Sequence, residues 1–138
     1  MNPQIIRDAA QRFIGQLDRL EHGEEGAAGA LAALFADDAR LSNPIIEREG
    51  GERVGREAIA AFWQAYRGNF SDIHSAFFDL TAGEQSAGLF WRSEGAGRDG
   101  QPLAYEGVTL LQFDEGGRIT RFKGYFDPDQ VRLKVTRH

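Results

Sequence analysis

Cysteine is absent from the 138 residues of this chain, which removes disulfides, thiolate nucleophiles and cysteine-ligated metal sites together. Histidine is scarce: His22, His74 and His138 are the three copies, none spaced from another like a ligand pair, so no metal is expected. No apolar run approaches the roughly 20 residues that cross a bilayer. The start, MNPQIIRDAAQRF, mixes charge into a helical pattern and lacks the unbroken apolar stretch of a signal peptide. No membrane partner and a cytoplasmic location are therefore expected. Positive charge does not gather either. The 16 Lys and Arg lie scattered among 21 Asp and Glu, for a net charge of -5, and no nucleic-acid partner is expected without a basic patch. The glycine-rich stretches lack a strand-glycine-helix context with a phosphate-cradling lysine, and no serine sits on a nucleophile elbow.

What is present is globular: 41% hydrophobic and 27% charged residues, in a length that forms one domain and buries roughly two-thirds of the surface of its unfolded chain. Residues 1–138 are read as a single domain. The first half is helical and the second rich in strands, the α+β pattern. Ile6, Ala9, Ala10, Phe13, Ile14, Leu17 and Leu20 recur at three-and-four spacing, which predicts a helix from Gln4 to about Glu21. A shorter helix is expected through Ala30 to Phe35, a brief strand over Ala39 to Ser42 ending at Asn43-Pro44, and a loop or hairpin tip over IEREGGERVG. REAIAAFWQAYRG reads as a third helix, with Trp63 and Tyr66 on its packing face. Four strands follow, about 72–80, 86–94, 103–113 and 118–126, with glycine in each connection.

Three helices followed by a curved antiparallel sheet, closing on the strand of LLQFDEGGRITRFKGYFD, resemble the nuclear-transport-factor-two-like superfamily in its SnoaL-like polyketide cyclase branch. The final hairpin is also similar to that of limonene epoxide hydrolases, and steroid isomerases are related. The fold pattern covers nearly the whole chain, and the specific motif lies within about residues 105 to 128. The resemblance implies a cystatin-like α+β barrel, a cone of helices and sheet enclosing a mostly apolar pocket. It also implies a homodimer through the outer sheet face, where Trp91, Val108, Leu110 and Tyr125 would lie. The implied ligand is a small apolar, oxygen-bearing molecule, handled without a cofactor by an isomerase, cyclase or hydrolase that moves protons. The alternative is a non-catalytic ligand-binding or scaffold domain of the same fold.

Side chains alternate faces along a strand. Phe122, Gly124 and Phe126 therefore share one face and Asp127 falls on the other, so Asp127 reads as a strand-end residue before Pro128. In the epoxide hydrolases a catalytic aspartate lies between those aromatics, where this chain has Gly124. Their Arg-x-Asp falls on Phe90-Trp91-Arg92, and of their site residues Asn43 alone is matched. Epoxide hydrolysis is accordingly not expected. If the resemblance holds, Phe90, Arg92 and Glu94 face the pocket with Tyr105 and Thr109, and His74 and Phe78 join them from the preceding strand. The candidate catalytic set is His74, Arg92, Glu94 and Tyr105; the candidate ligand contacts are Asn43, Phe78, Phe90, Thr109, Phe122 and Phe126. Each has a plainer reading. His74 is an acid-base or a satisfied strand histidine; Arg92 anchors a ligand or pairs with Glu94, Glu106 or Asp79. Glu94 is a base with a raised pKa or a solvated charge, and Asn43 a turn residue.

Overall fold

A computed structural model describes residues 2–130, and His138 lies outside the described residues. Helix α1 (Pro3–Glu21) begins at a cap: the Asn2 side chain accepts from the Ile5 N–H, and proline occupies the first turn, where a helix has no internal partner for its N–H. Its apolar spacing buries Ile6, Ala10, Phe13, Leu17 and Leu20, and Glu21 lies on the same face. Helix α2 (Ala27–Ala32) lies three residues earlier than expected, and strand β1 (Phe35–Ser42) is longer. Phe35 is fully buried and pairs with Ile119, so sheet pairing overrides local helix propensity there.

The expected loop after Asn43 contains a short helix, α3 (Pro44–Arg48), and a two-residue strand, β2 (Arg53–Val54). Asn43 is the reason for α3: its Oδ1 accepts the Ile46 N–H at 2.9 Å, with proline following directly. Helix α4 (Arg56–Gly68) precedes strands β3 (Phe70–Ala82), β4 (Ser86–Gly97), β5 (Pro102–Phe113) and β6 (Ile119–Phe126). The described residues thus hold four helices in place of the expected three.

The six strands form one curved, unclosed sheet in the order β2-β1-β6-β5-β4-β3. Its neighbours are antiparallel except β1 and β6, which run parallel; the expectation of a wholly antiparallel sheet is corrected at that one pair. β3 carries two bulges, between Phe70 and Asp72 and between Phe77 and Asp79, and bulges bend the strand that holds them. Gly107 is a further requirement of the curve. A Cβ there would lie 2.7 Å from Cζ2 of Trp91, its register partner, so only glycine lets the indole lie across the strand.

The helices cover the concave face. Phe13, Leu31, Phe35, Leu41, Ile59, Leu89, Leu111 and Ile119 form the centre of the core. A second cluster of Phe70, Ile73, Trp91, Leu103 and Tyr105 lies toward the other end of the sheet. Among the described residues no helix is long and apolar enough to cross a membrane.

Candidate functional site

Strand parity decides which side chains meet inside the cone. On β6, Phe122 and Gly124 are buried and point inward with Phe126, and on β5 Tyr105, Thr109 and Leu111 do the same. Ser93 pairs with Tyr105 and Ser75 with Ser93. That register brings Leu89, Trp91 and Ser93 of β4, and Ile73, Ser75 and Phe77 of β3, to the inner face.

Five of the ten candidate residues consequently lie outside. Arg92 and Glu94 form an exposed ion pair at 3.0 Å. Phe90 stands opposite Phe78 with ring centres 6.5 Å apart, and Phe78 is 66% exposed. His74 is exposed, 3.9 Å from the Asp18 carboxylate and 6.3 Å from the His22 ring. The expectation that these five face the cavity is corrected, because charged and neutral neighbours on β4 alternate and the charged set takes the solvent side. Trp91, expected outside, is buried within: its ring meets Tyr105 at 5.4 Å and its Nε1–H donates to Thr109 Oγ1 at 2.9 Å. Asp127 is exposed and accepts the Asp129 N–H at 3.0 Å, a turn at the strand's end.

The other five converge. Asn43, Tyr105, Thr109, Phe122 and Phe126 all line a cavity of about 290 Å³ between the sheet and helices α1, α3 and α4. Rings of Phe13, Phe62, Trp63 and Phe77 are among those that complete its wall. Asn43 Oδ1 is spent on capping α3, and among the described residues its Nδ2 has no hydrogen-bond partner. Glu49 and Arg53 line the open side, where Glu49 is exposed and Arg53 half-buried.

The feature that sequence reasoning missed is Glu21. It is 3% exposed, and a buried carboxylate must be paired or saturated with donors. Its Oε1 accepts the Ser75 N–H, and its Oε2 accepts both the Ser75 and Tyr66 hydroxyls, each at 2.7 Å. Ser75 Oγ is in turn 2.6 Å from Ser93 Oγ, and the Tyr105 hydroxyl adjoins this group, close enough to Tyr66 and Ser93 for their hydroxyls to act on its titration. Helix α1, helix α4 and strands β3 and β4 are thereby tied to one buried charge. The signal was the position of Glu21, four residues after Leu17 on the buried face of α1.

Counting protons gives the network a direction. A carboxylate only accepts, and each hydroxyl has one proton to give. Tyr66 and Ser75 give theirs to Glu21, which leaves Ser93 to donate to Ser75. Tyr105 alone holds a proton that Glu21 and its immediate partners do not need, and Tyr105 lines the cavity. Both phenols are kept protonated. Burial, first, and then neighbouring negative charge including Glu21 push the pKa of Tyr66 and of Tyr105 well above the usual tyrosine range. Part of the Tyr66 ring is open to the cavity, but its hydroxyl is enclosed against Glu21, and it is the enclosed oxygen that titrates.

Comparison with known proteins follows this geometry. Residues 17–122 match the family described as the SnoaL-like domain. The chain is 29% identical over 107 residues to a steroid Delta-isomerase of Nocardioides simplex, a match that covers 77% of this chain and 81% of that protein. Its fold is similar to the crystal structure of an NTF2-like protein of unknown function from Exiguobacterium sp. 255-15, with a TM-score of 0.73, 20% identity, and 86% of this chain and 98% of that one covered.

Proposed function

Because the chain belongs to the SnoaL-like domain family, we propose that its cone holds a small, flat, apolar molecule with one carbonyl oxygen, and that Tyr105 polarises this oxygen. The observation that carries the proposal is the Tyr105 hydroxyl, whose proton Glu21 does not claim, on the wall of a cavity rich in aromatic rings, where the buried Trp63 Nε1–H also has no partner among the described residues. A few placed polar groups within an apolar wall are what orient a small ligand. A neutral phenol held in low dielectric is a strong donor to developing negative charge on oxygen. The Asn43 Nδ2 is a second donor on the same wall. Polarising a carbonyl acidifies the carbon next to it, and the likeness to a steroid Delta-isomerase supports an isomerase-type proton shift.

A second reading, binding without turnover, has its own support. Glu21 is fully engaged and does not line the cavity, and the carboxylate that does, Glu49, is exposed. Incubation of the protein with 2-acetylnaphthalene or a 3-keto steroid in deuterated buffer separates the two. Deuterium entering next to the carbonyl supports proton transfer, binding without exchange supports the second reading, and no binding removes both. Gly124→Val is the blocking control. The Gly124 Cα faces the cavity beside Asn43, with ordinary contacts of 3.6 to 3.8 Å for an added Cβ, so further methyl groups fill ligand space. Binding is expected to fall at least about tenfold, with stability changed by less than about 1.5 kcal/mol.

The proposal extends to a homodimer across the outer sheet face. Phe78 and Tyr125, 66% and 47% exposed, lie there with Phe90, Val108 and Leu110, among the charges of Arg92, Glu94 and Glu106. Mixed charge around an apolar patch suits a second copy of the same face. Light scattering should give twice the 15.3 kDa chain mass, and Phe78→Glu should return it to the monomer; a wild-type monomer at high concentration removes the dimer.

A further inference from the structure

The rim of the cavity carries an arginine with nothing to hold. Neighbouring cations are each paired: Arg40 with Glu52 at 3.0 Å, Arg48 with Asp129 at 3.4 Å, Arg56 with Asp37 at 2.9 Å and Lys123 with Glu47 at 3.3 Å. Arg53, half-buried on β2, lines the cavity, yet among the described residues its guanidinium makes no hydrogen bond or ion pair. Five N–H donors in a planar fork match a carboxylate. Leaving them unpaired and partly desolvated is unfavourable. Glu49 shares this side of the cavity but is exposed and keeps its own hydration.

We propose, resting on the cavity reading above, that the ligand is an acid: an apolar body with a carbonyl against Tyr105 at the enclosed end and a carboxylate against Arg53 at the rim. The two donors are of different kinds and differ in burial on the wall of one cavity, Tyr105 being 8% exposed and Arg53 half-buried. Together they select both orientation and length, since a ligand can satisfy both only if its oxygens lie at opposite ends. The neutral phenol takes the uncharged oxygen and the guanidinium takes the anion, so neither partner has to bury a charge unpaired. An acidic chain of net charge -5 offers little long-range attraction to an anion, which leaves local recognition at Arg53 as the source of selectivity.

A matched pair of probes tests this by titration calorimetry: 2-acetylnaphthalene, and 6-acetyl-2-naphthoic acid, which adds only a carboxylate at the far end. Wild type is expected to bind the acid about tenfold more tightly than the ketone, the worth of a charge-assisted contact at a partly exposed site. The margin should shrink toward about 1 M salt. Arg53→Gln should erase the acid's margin over the ketone, measured in the same variant, and Arg53→Lys should keep part of the margin by retaining the charge without the fork. If the ketone binds and the acid binds no better, or if Arg53→Gln leaves the margin intact, the inference is overturned while the cavity reading stands. Binding of neither probe overturns both.

Discussion

Glu21→Ala is expected to cost about 3 to 5 kcal/mol, read as a fall in the midpoint of urea unfolding. The figure follows from what is left behind. The Ser75 N–H, the Ser75 hydroxyl and the Tyr66 hydroxyl all donate to Glu21, and a buried donor stripped of its partner costs about 1 to 3 kcal/mol. Water entering from the adjoining cavity recovers part of the loss, so the three do not sum in full. Glu21→Gln keeps one acceptor but introduces two donors into a cluster of donors, and should fall between wild type and alanine. A loss below about 1 kcal/mol for the alanine variant would show that the network does not hold α1 to β3. The tyrosines supply an independent readout. Burial raises their pKa in the folded chain above the unfolded value near 10. Below pH 10 both states are protonated and this contribution to stability is fully present. As pH rises past 10 the unfolded chain gives up its phenolic protons first, and stability falls. Removing the Glu21 charge should weaken this alkaline dependence without abolishing it, because burial, the larger cause, remains.

How much of this was legible in the chain depends on what each residue type can signal. The three-and-four spacing of α1, the glycine-bearing hairpins and the last four strands follow from local periodicity, and all are present with small shifts of boundary. The inner face of β6 was legible because Phe122, Gly124 and Phe126 stand alone against charged neighbours. β4 was misassigned although it carries the same kind of signal: Leu89, Trp91 and Ser93 alternate with Phe90, Arg92 and Glu94, and the two charges on the second set mark it as the solvent side. Likeness to an arginine motif in related enzymes outweighed that alternation. β3 was harder. Adjacent Phe77 and Phe78 give no alternation, and the bulge between Phe77 and Asp79 shifts the inward set from Phe77 to Leu80, a change of parity that no window of sequence displays. α3 had its signal in Asn43-Pro44, a cap followed by proline, which also reads as the end of a strand. The Glu21 network was the least legible, because its partners lie 45 and 54 residues away.

Tyr105→Phe should remove ligand response while leaving the fold nearly intact, and Tyr66→Phe should do the reverse. Losing the Tyr105 hydroxyl leaves the protons of Tyr66 and Ser93 pointing toward Glu21 as before, so the expected cost is about 1 kcal/mol. The ligand oxygen, however, loses the phenol that faces it. Affinity for a ketone probe should fall about tenfold, and any deuterium exchange next to the carbonyl by about a hundredfold or more, as when an oxyanion donor is removed. Tyr66→Phe takes a hydrogen bond from a buried carboxylate, worth about 1.5 to 3 kcal/mol, yet leaves Tyr105 in place. The contrast is informative because the two rings sit in one network and both line the cavity; a nonspecific loosening of the cone would move binding and stability together in both variants. If Tyr105→Phe binds the ketone as wild type does, the oxygen is held elsewhere, and the unpartnered Nδ2 of Asn43 becomes the donor to test. If instead binding is lost and stability kept, the one proton that Glu21 does not claim is the one the ligand uses.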